Sequence, residues 1–402
     1  MVRSLTAPGS GWTVHISPRG VSRLKDGHVW VYRSDVVSAE GIPAGSLVSV
    51  ADHRSQILGS ALYSSSSQIA LRLISREPVD DLPALLRERV AGAIAYRVPL
   101  VHNTNAYRLI FSEADFLPGL IVDRYNDILS LQVLTQAMDH ENVRETVLRE
   151  LTGKLQPESI VERVDARVRQ LEELPERASG LVQGEKTSTI FTVNGIQFHF
   201  DAREGQKTGA FLDQRENYAA SAQYAHGAAL DVFCYQGGFA LHLAQPCEQV
   251  TAVDSSRPAL EVADQNAALN HALLQEKEIE WIEANAFDLL KDYAVAGQRY
   301  DTIVLDPPAF AKNKRDLEAA LRGYKELNLR ALKMLRPGGI LVTCSCSYHV
   351  SQADFMEMLA DSARDAHRVL RLLELRGQAK DHPILPNVPE TAYLKCVIAN
   401  VS

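Results

Sequence analysis

Apolar residues change their spacing twice along the chain, and each change marks a different kind of structure. Up to about Arg76 they form short β-prone runs, such as "HVWVYRSDVV" and "IALRLIS", broken by Gly, Pro and Ser. Short strands with frequent turn residues are typical of a small β-barrel. From Asp80 to about Val98 the pattern is helical, and a β-rich piece and a second helix follow. Residues 80–185 are therefore expected to form a small α+β domain.

A third pattern begins after Asn194-Gly195, a dipeptide that favours a two-residue hairpin turn. Apolar runs such as "AALDVF", "QVTAVD", "YDTIVLD" and "GGILVTC" alternate there with helical stretches. Strands that alternate with helices indicate an α/β fold with a doubly wound parallel sheet. We therefore predict three domains, which span residues 1–76, 80–185 and 186–402.

The composition is that of a folded chain that is long enough for more than one core. Its 402 residues are 46% hydrophobic and 23% charged. The first residues lack the apolar core of a signal peptide, and no apolar run is long enough to span a bilayer. The five cysteines are scattered apart from one pair, unlike a disulfide framework. We therefore expect a cytoplasmic protein in a reducing compartment.

The charge distribution limits how the chain could hold a nucleic acid. A formal net charge of −8 excludes a protein that binds nucleic acid through an overall basic surface. Residues 1–78, however, carry eight Lys and Arg against five Asp and Glu, an excess of three positive charges. Any contact with nucleic acid is therefore expected to be local, with the amino-terminal segment as its basic part.

Three strand ends in the α/β region carry residues that suit a nucleoside. Ligands of open α/β sheets collect at the carboxyl ends of the strands. The first end, "LDVFCYQGGFALHLA", has Asp231 followed by Gly237-Gly238, which let the backbone approach a ligand. The second ends in Asp254, which is placed either to bind ribose hydroxyls or to cap a helix. The third, "EANAFD", places Asn285 and Ala286 near an adenine.

The kind of cofactor follows from what these turns do not contain. The region has no phosphate-binding loop ending in Gly-Lys-Ser/Thr and no third spaced glycine for a pyrophosphate. A nucleoside without phosphates therefore fits best, which favours S-adenosylmethionine, with NAD as the weaker alternative.

The fourth strand end, "YDTIVLDPPAFAK", suits chemistry on a base. Pro307 keeps Asp306 out of the helical region, so the turn is stiff. A carboxylate held there can accept a hydrogen bond from an exocyclic amine, and Phe310 could stack on the base. The alternative is a strand-terminating turn with a core phenylalanine.

The next strand ends in "TCSCS", with Cys344 and Cys346 two positions apart. Methylation of cytosine at carbon 5 needs a thiolate that adds to carbon 6, and a cysteine at this end could supply it. A disulfide between positions two apart would be strained, and a metal site would need more ligands than the neighbouring His349. We therefore favour a nucleophilic thiol, with the unused cysteine as an inert buried residue.

The chain resembles a known family, the S-adenosylmethionine-dependent 23S ribosomal RNA 5-methylcytosine methyltransferases that carry an amino-terminal PUA domain. The resemblance covers essentially the whole chain and is carried by "GHVWVYRSDV", "EGQKTGAFLDQRENY", "DVFCYQGGFALHLA", "LDPPAF" and "TCSCSYH". It implies a class I methyltransferase with a Rossmann-like seven-stranded sheet, an RNA-binding PUA β-barrel and a small α+β middle domain. It also implies ribosomal RNA as partner and suggests a homodimer.

The resemblance extends the set of candidate site residues. Cofactor binding is expected of Phe211, Asp231, Phe233, Tyr235, Gly237, Gly238, Asp254, Ser255, Asn285, Ala286 and Asp306. Substrate binding is expected of Lys207, Thr208, Gln214, Arg215, Pro307, Pro308 and Phe310, and no metal is expected.

The candidate catalytic residues are Cys346 and Cys344, from the cysteine motif, and Asp306, from the stiff turn after the fourth strand. The family's nucleophile matches either Cys344 or Cys346, and we favour Cys346. Related RNA methyltransferases have a second cysteine after the strand-four aspartate, where this chain has Pro307-Pro308, so product release is unassigned.

Three functions remain open at this point. The first is an RNA cytosine-5 methyltransferase, which the cysteine pair favours. The second is an exocyclic-amine methyltransferase that uses Asp306-Pro307-Pro308 and needs no covalent step. The third is an RNA-binding or ribosome-assembly factor that keeps the cofactor fold without catalysis.

Overall fold

A computed structural model describes residues 11–202, 210–274, 277–311 and 313–402. Within these residues the chain forms two compact units. The first is built from the chain up to Thr189, the segment that begins at Phe200, and Lys380–Thr391. The second is built from Ile190–His199, Ala210–Ala379 and Ala392–Ser402. No helix in the described ranges has the length and apolar composition that crossing a bilayer requires.

The first unit begins with a six-stranded sheet in the order β2-β6-β5-β4-β1-β3. Its apolar core includes Val14, Val50 and Leu71. Helix α1 starts at its cap Ser17, whose side chain accepts a hydrogen bond from the Gly20 amide. The elements are β1 (Thr13–Ile16), α1 (Pro18–Lys25), β2 (Trp30–Tyr32), β3 (Val36–Ser38), β4 (Leu47–Ala51), β5 (Ile57–Tyr63) and β6 (Ile69–Ser75).

The same unit contains a five-stranded sheet in the order β11-β10-β9-β8-β7, with helices that contribute to its core. Arg97 is 1% exposed and donates to Asp115 at 2.8 Å and to the Asp381 carbonyl at 2.9 Å. The elements are α2 (Leu82–Arg97), β7 (Ala106–Phe111), β8 (Leu120–Tyr125), β9 (Ile128–Val133), α3 (Gln136–Asp139), α4 (Glu141–Leu155), β10 (Ser159–Glu162), α5 (Ala166–Leu171) and β11 (Gly180–Gln183).

A two-stranded hairpin follows, formed by β12 (Ser188–Val193) and β13 (Ile196–Asp201). Its turn is Asn194-Gly195, with φ of +53° and +85°. Positive φ at both central residues is what a type I′ hairpin turn requires, which is why this dipeptide predicted the hairpin.

The second unit is built on a seven-stranded sheet in the order β16-β15-β14-β17-β18-β20-β19. Neighbouring strands from β16 to β18 are parallel, and β20 is antiparallel to both of its neighbours. The strands are β14 (Ala228–Val232), β15 (Gln249–Asp254), β16 (Ile279–Glu283), β17 (Tyr300–Leu305), β18 (Leu335–Ser345), β19 (Leu370–Arg376) and β20 (Lys395–Val401). This sheet confirms the predicted doubly wound α/β class, with the antiparallel strand at one side.

Helices connect these strands, and the strand order reverses between β14 and β17. The helices are α6 (Arg215–Tyr224), α7 (Gly238–Leu243), α8 (Arg257–Leu269), α9 (Ala286–Val295), α10 (Leu317–Met334) and α11 (Gln352–Asp365). Single 3₁₀ turns lie at Arg33–Asp35, Ser112–Asp115, Leu212–Gln214, Lys314–Asp316 and Pro389–Thr391.

The register of the parallel strands aligns their carboxyl ends. Val232 of β14 pairs with Val253 of β15 and with Leu305 of β17, and Leu305 pairs with Thr343 of β18. The residues that follow these strands therefore meet at one edge of the sheet, next to the point where the strand order reverses. Open α/β sheets bind their ligands at this place.

Candidate active site

The loop between β14 and α7 has an unusual backbone. Phe233, Tyr235 and Gly237 have φ of +70°, +49° and +86°. Positive φ is costly for residues with a Cβ, and it persists only where surrounding contacts impose it. Here the amides of Phe233 and Cys234 both donate to the Val253 carbonyl, at 2.9 and 3.0 Å. The loop is thus bent tightly against the end of β15.

Gly238 lets this loop pass close to a half-buried tyrosine, Tyr218. A Cβ at Gly238 would lie 2.5 Å from Cζ of Tyr218. The Tyr218 hydroxyl donates to the Phe211 carbonyl at 3.2 Å, and the Phe211 ring meets the Tyr235 ring edge-on at 5.1 Å. The structure therefore brings Phe211, which the family resemblance had added to the site, to the glycine loop.

Asp231 is an unusual residue within β14. It is fully buried, and within the described parts of the chain neither carboxylate oxygen meets a donor at full hydrogen-bond geometry, although the Ala240 amide is close enough to lower its pKa. Burial and the nearby charge of Asp306 raise the pKa of Asp231 well above its usual range. A cationic or N–H-bearing ligand would satisfy these oxygens, so Asp231 fits the binding of a charged cofactor.

Asp254 joins two turns at the sheet edge. Its Oδ2 accepts a hydrogen bond from the Tyr235 amide and its Oδ1 from the Ser256 amide, both at 2.9 Å. The cap of α8 is Ser256, whose hydroxyl accepts from Ala259, while Ser255 is exposed between them. The capping alternative for Asp254 is therefore taken by Ser256, and each Asp254 oxygen keeps a lone pair for a ligand.

Asn285, by contrast, is a helix cap. Its side-chain oxygen accepts from the amides of Phe287 and Asp288, at 2.9 and 3.3 Å, and Ala286 is the buried first residue of α9. The Asn285 oxygen is thus committed to the helix, and its NH₂ group is the part that could face a ligand.

Asp306 follows β17 and lies in a set of carboxylates. Burial and then the charge of Asp213 raise its pKa, and a hydrogen bond from Gln214 lowers it, so that the resulting pKa is about 7. Gln214 Nε2 donates to Asp306 Oδ1 at 2.9 Å. This carboxyl therefore exchanges its proton near neutral pH.

Two residues that sequence reasoning missed hold Gln214 in place. Asn217 Nδ2 donates to Gln214 Oε1 at 2.7 Å, and Arg376 Nε donates to Asn217 Oδ1 at 2.8 Å. Gln214 and Asn217 are buried, so the chain of bonds from Arg376 to Asp306 is shielded from water. Arg376 lies 159 positions from Asn217, and no sequence spacing indicates this contact.

The other expected substrate residues have different surroundings. The Arg215 guanidinium is buried, with Nη2 at 3.7 Å from Glu216. Pro307 is buried and Pro308 exposed. The Phe310 ring packs against Tyr324, with centroids 4.7 Å apart. Lys207 and Thr208 lie outside the described residues.

The two cysteines of "TCSCS" have different environments. Cys344 is fully buried within β18 and pairs across the sheet with Cys396. Burial, together with Cys396, raises the pKa of the Cys344 thiol well above its usual range. Cys346 follows the last residue of β18, is half-buried, and has its sulfur 3.9 Å from the Pro307 carbonyl oxygen.

The described residues include all five cysteines, and none of these forms a disulfide. Within the described ranges, no group of three or more His, Cys, Asp and Glu side chains could hold a metal ion.

Comparison with known proteins assigns both parts of the chain. Residues 14–76 match the model of a PUA-like domain, and residues 117–400 match that of an S-adenosylmethionine-dependent methyltransferase. The fold also resembles that of SMU.776, a candidate methyltransferase complexed with SAH, with a TM-score of 0.82 and 19% identity over 97% of this chain and 100% of that one. These matches define the class: an S-adenosylmethionine-dependent methyltransferase with a PUA-like domain.

Two curated relatives define the group more closely. Ribosomal RNA large subunit methyltransferase I from Tolumonas auensis is 38% identical over 396 residues, which cover 96% of this chain and 98% of the relative. The protein of the same name from Shewanella amazonensis is 38% identical over 397 residues, which cover 96% and 99%. The chain therefore belongs to the family of S-adenosylmethionine-dependent methyltransferases that these relatives represent, as its motifs indicated.

The site fits the cofactor of this family. S-adenosylmethionine carries positive charge on its sulfonium and ammonium groups and two free ribose hydroxyls. Asp231 offers two buried oxygens that meet no donor of the described residues at full hydrogen-bond geometry, and Asp254 offers a carboxylate held between two turns. Gly237 and Gly238 leave room for the ligand beside the backbone.

Proposed function

We propose that this enzyme transfers a methyl group from S-adenosylmethionine to carbon 5 of a cytosine in 23S ribosomal RNA, through a covalent adduct with Cys346. The observation that carries the proposal is the position of the Cys346 sulfur, 3.9 Å from the carbonyl of Pro307 and thus beside Asp306-Pro307-Pro308. The names of the two relatives support ribosomal RNA as substrate, which would place the reaction in the cytoplasm.

Cys346 suits the role of nucleophile better than Cys344. Cys344 is fully buried and pairs with Cys396 inside the sheet, and burial, Cys396 and the charge of Asp306 raise the pKa of its thiol well above the usual range although Gln214 opposes them. Cys346 lies past the strand end and is partly exposed. A thiol at this edge can approach carbon 6 while the same base faces the cofactor.

The proposed reaction balances as follows. The Cys346 thiolate forms a bond to carbon 6, and the electron pair of the carbon 5–carbon 6 double bond makes carbon 5 nucleophilic. Carbon 5 takes the methyl group from the sulfonium of S-adenosylmethionine, and S-adenosylhomocysteine leaves with the electron pair of the broken carbon–sulfur bond. A base then accepts the carbon-5 proton, and the electron pair of that carbon–hydrogen bond restores the double bond and expels the Cys346 thiolate.

Asp306 assists the base in this scheme. As a carboxylate it accepts a hydrogen bond from the exocyclic amine, and in its protonated form it donates to ring nitrogen 3, where charge builds up when the thiolate adds. A pKa raised to about 7 makes both forms accessible at neutral pH. Gln214, held by Asn217, fixes the orientation of the carboxyl.

A trapping experiment tests the covalent step. RNA with 5-fluorocytosine at the target cannot lose its carbon-5 substituent as a proton, so the adduct should survive denaturing electrophoresis. We expect Cys346→Ala to abolish turnover and the adduct while cofactor affinity, measured by calorimetry, stays nearly unchanged.

Cys344→Ala is the matched control. It also removes a thiol, but from a position inside the sheet, two residues before Cys346. It should keep the adduct and lose activity only modestly. If Cys344→Ala removes the adduct and Cys346→Ala does not, the nucleophile is Cys344.

The competing functions give different results. A wild-type protein that methylates RNA without forming an adduct would overturn the covalent mechanism and favour amine methylation by Asp306-Pro307-Pro308. A protein that binds the cofactor but methylates no ribosomal RNA would be an assembly factor. Mass-spectrometric mapping of 23S ribosomal RNA from a strain without the protein locates the nucleotide, since one 5-methylcytosine should disappear.

A further inference from the structure

Lys395 is a buried lysine at the start of β20, beside the end of β18. It is 8% exposed and pairs with Ser345 across the two antiparallel strands. Its Nζ donates to the Ser347 carbonyl at 2.6 Å and to the Tyr393 carbonyl at 2.9 Å. In the described parts of the chain no carboxylate lies within ion-pair distance of it. A buried ammonium that pairs with no acidic side chain needs another explanation.

The segment that Lys395 contacts is rigid. Ser345 and Ser347 are fully buried, and both hydroxyls lie 3.0 Å from the Tyr324 hydroxyl. The Ala311 amide donates to the Ser347 hydroxyl at 3.2 Å. Cys346 lies between these two fixed serines, so its backbone has little freedom, and its sulfur lies 3.9 Å from the Pro307 carbonyl oxygen.

Lys395 and Cys346 also interact through charge. An ionised Cys346 raises the pKa of Lys395, although burial has the larger and opposite effect and lowers it to about 8. Lys395 is therefore protonated at neutral pH and presents a positive charge to the thiol. The ammonium has three N–H donors and uses two of them on the carbonyls of Ser347 and Tyr393.

We propose that Lys395 is a positioning residue for the nucleophile: its ammonium fixes the loop that carries Cys346 and stabilises the thiolate form of that cysteine. This inference rests on the proposed function, because it gives Cys346 the role of nucleophile. The thiolate, not the thiol, is the reactive species, and a neighbouring cation increases its fraction at neutral pH.

The other ionisable groups around Cys346 do not replace this cation. Tyr324 on α10 is near enough for an ionised Cys346 to raise its pKa, an effect smaller than that of burial. It is neutral at pH 7 and bonded to the two serines. Asp306, one residue before Pro307, would disfavour a thiolate when ionised. Of the described groups named here, Lys395 is the one whose charge favours the reactive form.

The test is the pH dependence of Cys346 alkylation by iodoacetamide, followed by tandem mass spectrometry of the peptide that contains it. Lys395→Met keeps the length of the side chain and removes the charge. We expect the apparent pKa of Cys346 to rise, so that alkylation at pH 7 slows about tenfold or more while the limiting rate at high pH is kept. Lys395→Arg, which keeps the charge, should stay close to wild type.

Two results would overturn the proposal. One is an unchanged apparent pKa in a folded Lys395→Met protein. The other needs no variant: a Cys346 alkylation pKa in the wild type at or above that of ordinary cysteine, about 8.5, would mean that the charge of Lys395 does not outweigh burial and Asp306, so that the cysteine gains no net thiolate at neutral pH and the proposed role fails. The latter measurement decides the question even if Lys395→Met does not fold.

The same preparations separate this inference from the proposed function. If wild-type protein forms the 5-fluorocytosine adduct but the apparent pKa of Cys346 does not depend on Lys395, only the role of Lys395 is wrong. If no adduct forms, the covalent mechanism fails whatever the alkylation profile shows.

Discussion

At the scale of single residues, burial favours the protonated form of the carboxyl groups in the cofactor site, and a bound cofactor should favour the ionised form. Asp306 has its pKa raised to about 7, mainly by burial and then by Asp213, and the pKa of Asp231 is raised well above its usual range by burial. A cation bound nearby favours the ionised form and lowers such pKa values. Cofactor binding should therefore release protons.

The first prediction concerns this proton release. Since bound cofactor lowers the pKa of Asp306, the contribution of this carboxyl should make affinity rise as pH increases through 7 and should level off above it, where Asp306 of the free protein is already ionised. About half a proton from Asp306 should be released per cofactor at pH 7. Calorimetry in buffers of different ionisation enthalpy measures this number.

Asp306→Asn is the variant that isolates this contribution. The release near pH 7 should decrease, and the remainder reports Asp231. If Asp306→Asn releases as many protons per bound cofactor as wild type, cofactor binding does not change the pKa of Asp306.

The raised pKa of Asp306 also changes how the stability of the free protein depends on pH. The direction is opposite to that of a salt-bridged carboxylate, which stabilises a protein as pH rises. The unfolded chain loses the Asp306 proton near the ordinary pKa of about 4, whereas the folded, cofactor-free protein keeps it until about pH 7. Asp306 therefore makes the free protein less stable as pH rises from about 4 to 7, with no further change above.

Single residues also show what a sequence can and cannot reveal. Asp231, Asp254 and Asp306 could be identified because each lies at the end of an apolar run. Asn217, Arg376 and Lys395 could not, because their partners lie far away along the chain and pair only through the sheet and loop geometry. Asp254 was also considered as the N-cap of α8, but the cap is Ser256, two positions later. Asp and Ser both cap helices, so the residue types alone do not distinguish the two positions.

At the scale of elements, the parallel register explains why strand ends were informative. Pairs such as Val232 with Leu305 and Leu305 with Thr343 keep the carboxyl ends level, so residues from separate strands meet at one edge. What the pattern did not indicate was the backbone of the first loop. Positive φ at Phe233 and Tyr235 depends on amides bonded to β15 and to Asp254, which are tertiary contacts.

The close packing of the loop between β14 and α7 can be tested at Gly238. Gly238→Ala would place a Cβ 2.5 Å from Tyr218, whose ring also meets Phe239 edge-on at 4.7 Å. The tyrosine must move, so we expect a loss of about 1–3 kcal/mol in unfolding free energy. Cofactor affinity should also fall, because Tyr218 holds the Phe211 carbonyl beside the loop.

A second glycine in a helix provides the matched control. A Cβ at Gly92, within α2, meets no atom within 4 Å, so Gly92→Ala should stabilise the protein by up to about 1 kcal/mol. Thermal unfolding and calorimetric titration measure both effects. A Gly238→Ala protein with wild-type stability and affinity would show that Tyr218 can move without a cost to folding or cofactor binding.

At the scale of the whole molecule, an acidic chain must engage an anionic substrate through a local surface. The formal net charge is −8, and the part matched to a PUA-like domain is the basic end of the chain. The β-barrel prediction came from short strands, and the six-stranded sheet occupies that segment. Which of its charges face RNA could not be predicted, because alternate positions of a strand face opposite sides and several arginines are used internally. Arg33, for example, donates to the carbonyls of Ser64 and Ser67.

The last prediction concerns one exposed basic cluster in the PUA-like domain. Lys25, His53 and Arg54 are exposed around Asp52, whose carboxylate accepts from the Arg54 amide at 2.8 Å and interacts with the charges of Lys25 and His53. Each phosphate contact releases counterions, so the logarithm of RNA affinity falls with the logarithm of salt concentration. Lys25→Gln with Arg54→Gln should weaken binding and lower the magnitude of that slope by about 1 to 2.

An exposed arginine elsewhere in the same unit controls for net charge. Arg149 on α4 is 76% exposed and lies 3.8 Å from Glu145, so Arg149→Gln changes the overall charge without touching the cluster around Asp52. Fluorescence anisotropy with a 23S ribosomal RNA fragment over a series of salt concentrations gives the three slopes. Cluster and control variants with equal slopes would mean that the contact is non-specific, and a cluster variant with the wild-type slope would remove this face of the PUA-like domain from RNA binding.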